Sequence, residues 1–148
     1  MADVSRGVST ALGYVLNLGV ATLLVTILLL SAGTLVEDQR DRAADTELDV
    51  VGERLAADLA AADRLARTND PTAVRVEVDV PARVAGSYYT ASVNENGNGN
   101  IVLRADQPDV EVVVPFETTT PVQASTVDGG DLAVVYDPGN DTLVVTDA

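Results

Sequence analysis

Residues 7–36 contain no charged side chain: Arg6 is the last charge before the run and Glu37 the first after it. As an α-helix these thirty residues would be about 45 Å long, against a bilayer hydrocarbon core of about 30 Å. Between positions 12 and 36 there are fourteen Leu, Ile or Val residues. At about −0.3 to −0.6 kcal/mol each they supply roughly −4 to −8 kcal/mol toward insertion. Tyr14, Asn17, Thr22 and Thr26 are the polar exceptions and do not cancel that sum. The segment reads as one membrane-spanning helix, residues 8–36, with the lipid bilayer as its partner. The competing reading, a core helix of a soluble protein, is unusual at this length. Ser31-Ala32-Gly33 resembles a small-residue cleavage site, but a secretory signal has an apolar core of about 7–15 residues, and the run before this site is far longer.

Residues 37–68 continue as a helix with a different pattern. Ala44, Leu48, Val51, Leu55, Leu59, Ala62 and Ala66 recur at spacings of four and three, which puts them on one stripe. Asp38/Arg42 and Asp63/Arg67 are read as pairs four apart on polar faces. The stripe requires a partner surface, and the protein's own sheet is preferred over a separate coiled coil. Gly52 costs about 1 kcal/mol against alanine in a helix and is read as a weak point that marks a bend. Asn69-Asp70-Pro71 stops the helix.

The period then changes to two. Val74, Val76, Val78 and Val80 alternate with polar residues; SYYTASV and NIVLRA flank NENGNG as a hairpin. Val110, Val112, Val114 and Phe116 form another face, and LAVVYDPGNDTLVVT closes as a terminal hairpin. Six or seven short antiparallel strands in 72–148 make a small β-domain. The layout is α+β: a long N-terminal helix, half transmembrane and half amphipathic, packed on a small C-terminal antiparallel sheet.

Composition narrows the chemistry. The chain has 23 acidic residues against 9 basic ones, all arginine, for a net charge of −14, and it has neither cysteine nor histidine. So acidic a surface repels nucleic acid, which is excluded as a partner, and stays hydrated where salt screens self-repulsion; it reads as a salt-adapted protein. Without Cys or His, disulfides, thiol nucleophiles and the commonest general base are excluded, and no phosphate-loop or Gly-x-Ser-x-Gly pattern occurs. No catalytic residue, metal site or cofactor is expected. Asp128, Asp131, Asp137 and Asp141 are read as a solvated face. The run Asn94–Asn100 lacks the Asp and the bidentate Glu of a calcium loop, having Asn94 first and Ala105 twelfth, and is read as a hairpin tip. Asn140-Asp141-Thr142 fits the N-glycosylation pattern at a turn, which makes Asn140 a candidate acceptor.

Arg6-Gly7-Val8-Ser9, directly ahead of the apolar helix, resembles the class III signal of archaeal type IV pilins. The longer string RGVSTALGYVLNLG resembles the start of short pilin-like haloarchaeal membrane proteins whose function is unassigned. The resemblance covers residues 5–68 and implies a leader of residues 1–7, cut between Gly7 and Val8 by a prepilin peptidase, with Arg6, Gly7 and Val8 as the processing residues and the helix retained. It implies a pilin-like fold and other pilin-like subunits as partners, with Gly13, Asn17, Gly19 and Ala21 facing neighbouring helices. A single charge before Gly7, Thr10 where many such pilins have proline, and Leu12 at the fifth mature position, where bacterial pilins carry glutamate, favour a subsidiary subunit. The alternative is a tethered extracellular β-domain that never polymerises. Orientation does not follow from charge, with Arg6 on one side and Arg40 and Arg42 on the other; the β-rich, Asn/Gly-looped remainder places the C-terminal domain outside the cell membrane.

Overall fold

The computed structural model describes the backbone of residues 2–68, 73–94 and 98–148, and the side chains of these from residue 11 on, that of Asn98 apart. The helix stop at Asn69-Asp70-Pro71 and the hairpin tip at residues 95–97 lie outside the described residues. One helix, α1 (Ala2–Ala66), is followed by seven strands: β1 (Arg75–Asp79), β2 (Tyr89–Val93), β3 (Asn98–Asp106), β4 (Asp109–Glu117), β5 (Ser125–Asp128), β6 (Asp131–Asp137) and β7 (Thr142–Asp147). The chain forms two compact units, Met1–Gln39 and Arg40–Ala148. The first consists of the apolar stretch of α1.

The second unit is the α+β domain. All seven residues of the helical stripe, from Ala44 to Ala66, are buried. The strands form two antiparallel sheets rather than one, a three-stranded sheet in the order β1-β6-β7 and a four-stranded sheet in the order β4-β3-β2-β5. Strands β2, β3 and β4 form a meander, and β5 returns beside β2, a Greek-key connection. The second sheet turns Tyr89, Ala91, Val93, Ile101, Leu103, Ala105, Val114 and Phe116 inward. These residues and the helical stripe from Leu48 to Ala66 share one core with Val78, Leu132, Val134, Leu143 and Val145 of the first sheet. Leu48, Leu55 and Leu59 are fully buried, and each contributes about 1.5–3 kcal/mol by leaving water.

Gly52 lies inside the continuous helix, on the buried side. A Cβ there would stand 2.5 Å from Val114 Cγ2 and 2.7 Å from Leu103 Cδ1. At this glycine the helix backbone lies close against the four-stranded sheet.

Two polar ties flank the apolar stripe. Glu47 Oε2 accepts the Ala85 N–H at 2.7 Å. Ala85 and Gly86 have φ of 46° and 82°, the left-handed pair of a tight two-residue hairpin turn, closed by hydrogen bonds between Val84 and Ser87. At the other end Asp63 Oδ1 accepts the Thr120 N–H at 2.8 Å. Thr120 lies in the β4–β5 crossover, so the helix holds the connection that makes the Greek key. Beyond Thr120 the same crossover pairs with β7: Leu143 N–H donates to the Pro121 carbonyl and Gln123 N–H to the Leu143 carbonyl, both at 2.8 Å. That pairing covers part of the β7 edge, which would otherwise be open to another chain.

Candidate functional site

The candidate site is the apolar part of α1. Its large side chains face outward, with Leu12 61%, Leu28 67% and Leu30 68% exposed. In Ala11–Ala66 the most apolar 18-residue window has mean hydropathy 2.3, and none of it is buried within the protein. The helix is long and apolar enough to cross a membrane. The hydroxyls of three of its threonines are satisfied locally. Thr22 donates to the Leu18 carbonyl at 2.8 Å, Thr26 to that of Thr22 at 2.9 Å and Thr34 to that of Ser31 at 3.0 Å. Hydroxyls already bonded to backbone carbonyls do not need water, which is what a hydrocarbon surrounding requires.

Gly13 and Gly19 have nothing within 4 Å of where a Cβ would be. Asn17 and Ala21 are exposed on the same helix. Gly19 lies in a shallow groove between Val15 and Ile27. Arg6, Gly7 and Val8 fall within the first turns of α1, and their side chains lie outside the described residues.

Asn140 is exposed at the β6–β7 turn, but its amide is engaged. The Nδ2 that an oligosaccharide would be attached to donates to Asp137 Oδ2 at 2.7 Å, while Gly139 N–H donates to Asp137 Oδ1 at 2.8 Å. The Gly139 N–H and the Asn140 amide hold the Asp137 carboxyl below its ordinary range. Tyr136 Oη donates to Asp141 Oδ1 at 2.7 Å in the same turn. Asp137 and Asp141 sit at one end of β6 and Asp128 and Asp131 at the other, so the four aspartates do not converge. Among the described residues no three carboxylates come together to hold a metal ion.

Sequence reasoning misplaced Asp63. Read as one of a pair on a polar face, it is 4% exposed, and besides Thr120 it pairs with Arg67 Nη2 at 2.9 Å. The signal was present in the spacing, since Asp63 follows Leu59 by four residues and so lies on the core stripe. Burial pushes its carboxyl up, but the hydrogen bonds from Thr120 and Thr119 and the Arg67 charge outweigh this and leave it below 3.8. A depressed carboxyl stabilises the fold above its unfolded value and loses that contribution as pH falls through the folded one. Asp63→Ala is expected to lower stability by about 1.5–3 kcal/mol at neutral pH. Asp63→Asn, which can still accept from Thr120, is expected to lose less and to flatten the fall in melting temperature below about pH 4. Thermal melts of the three proteins from pH 3 to 7 check both; identical profiles for wild type and Asp63→Asn would contradict the role given to this carboxylate.

The molecule is thus an α+β domain joined to an exposed apolar helix of membrane-crossing length. Residues 3–146 match a family of unknown function (DUF7266), and the chain belongs to that family. No curated protein and no solved structure matches it.

Proposed function

We propose that this chain is a single-pass, N-terminally anchored, pilin-like surface protein without enzymatic activity, a subsidiary subunit of a type IV pilus-like system. Its acidic domain lies outside the cell and is adapted to high salt. The observation that carries the reading is the outward-facing apolar helix, whose large side chains have no partner within the chain. The RGVS string supports processing after Gly7. The open backbone at Gly13 and Gly19 supports close approach by a neighbouring helix, because in lipid small residues let helices pack and Asn17 can add a hydrogen bond of roughly 0.6–2 kcal/mol.

A solitary tether is the second reading, favoured by one feature. The helical stripe is covered by the domain's own sheets, so the extracellular part needs no neighbour to complete its core. Intact-mass analysis of the membrane fraction, with crosslinking in whole cells, separates the two. The pilin reading expects a chain beginning at Val8 and crosslinked species beyond monomer that Gly13→Leu with Gly19→Leu abolishes without loss of membrane insertion. An uncut chain that stays monomeric leaves the tether, and a chain beginning at Thr34 refutes both.

A further inference from the structure

The four-stranded sheet keeps one face in solvent. On it, cross-strand register sets Asp128, Thr90, Arg104 and Glu111 in one row and Thr126, Ser92, Val102 and Val113 in the next. At the end nearest the β5–β6 turn this face deepens into a cleft of about 280 Å³. That is just below the roughly 300 Å³ at which the usual range of ligand sites begins.

The lining is chemically mixed. Tyr88 is 66% exposed, and the Arg83 guanidinium lies 4.1 Å from its ring centroid. Arg104 is paired with Glu111 at the rim. Asp106 and Asp128 line the cleft, and their carboxylates make no side-chain hydrogen bond or ion pair within 4 Å among the described residues. Tyr89 forms the inner wall. Its ring is packed under Gly129, where a Cβ would be 2.3 Å from Tyr89 Cε1, and its buried hydroxyl has no hydrogen-bond partner among the described residues.

Charge decides among ligand classes. An anion entering the cleft meets two carboxylates, and an organic cation seeking the Tyr88 ring meets the Arg83 guanidinium already stacked on it. A neutral ligand bearing hydroxyl groups conflicts with neither, because each hydroxyl both donates and accepts. A sugar ring also offers an apolar face of C–H groups to an aromatic side chain. We propose that this cleft binds a neutral saccharide, one sugar residue lying against Tyr88, its hydroxyls donating to Asp106 and Asp128 and accepting from Arg104. The site gives the extracellular domain of the proposed surface protein a carbohydrate-binding role.

The full chain, purified in a detergent without a sugar head group and kept in molar KCl, is tested by saturation-transfer NMR. The probes are glucose, mannose, galactose and their disaccharides, with choline and methyl phosphate as charged controls. The expected result is transfer to the C–H protons of at least one neutral sugar. Tyr88→Ala and Asp128→Asn, both at exposed positions, should each weaken binding about tenfold or more, with melting temperatures near wild type. Absence of transfer to every sugar, transfer that survives both substitutions, or binding of choline or methyl phosphate alone would overturn the proposal. The assay reads purified protein, so its failure leaves membrane topology and processing as their own experiments find them.

Discussion

Arginine at both Leu24 and Leu28 is expected to release the protein from the membrane. The two leucines lie near the middle of the apolar stretch and are 55% and 67% exposed, so the substitutions touch no packed core. An arginine at the centre of a spanning helix costs about 2.5–3.5 kcal/mol, and each lost leucine removes about 0.3–0.6 kcal/mol of drive. Together the pair shifts insertion by roughly 6–8 kcal/mol, as large as the roughly −4 to −8 kcal/mol that the Leu, Ile and Val residues provide. Carbonate extraction of membranes should leave wild type in the pellet and bring the double arginine variant into the supernatant, while Leu24→Ala with Leu28→Ala stays with wild type. A double arginine variant that resists extraction would mean that the helix is not held by lipid.

Gly52 is expected to be intolerant of any side chain. By helix propensity alone Gly52→Ala should stabilise by about 1 kcal/mol. The structure reverses the sign. The new methyl would meet Val114 Cγ2 at 2.5 Å and Leu103 Cδ1 at 2.7 Å. Both partners are buried, and a valine is stiff about χ1. Overpacking of this kind costs about 1–3 kcal/mol, so Gly52→Ala should lower stability by up to about 2 kcal/mol once the propensity gain is subtracted. Gly52→Leu should cost more than about 3 kcal/mol, because three further carbons need space that the helix–sheet contact does not have. Denaturant melts of the full chain in detergent read both. A rise in stability for Gly52→Ala would show that helix and sheet are farther apart than described.

The helices and strands were legible in the sequence because each signal is local. The fourteen aliphatic residues of 12–36 identify an apolar helix without any knowledge of its neighbours, and the four-three spacing from Ala44 to Ala66 selects the face that is buried. The alternation in Val76–Val80 and Val110–Phe116 marks strands, and Asp-Pro-Gly-Asn marks the turn of the last hairpin. Partner choice across long stretches of chain was not legible. That β1 pairs with β6, that β5 returns to β2, and that the seven strands divide into two sheets depend on which pairings bury the most inward-facing residues together, and many arrangements satisfy the same alternating pattern. The cleft beneath Tyr88 has the same origin, since its residues come from separate strands and meet only through the register.

What the sequence determined by itself is the division of labour: an uncharged helix suited to lipid, an amphipathic continuation, and an acidic β-domain. Each of these follows from the average polarity of contiguous residues, which solvent reads without regard to tertiary contacts. Only the tertiary structure decided the meaning of single residues. Gly52 became a close contact with the sheet, and Asp63 a buried clamp on the crossover as well as a partner of Arg67. Asn140 became an amide already engaged by Asp137. In each case the deciding fact is a distance to an atom that the local sequence pattern did not identify, and neither a glycine's tolerance nor a carboxylate's proton affinity has a value until that atom is in place.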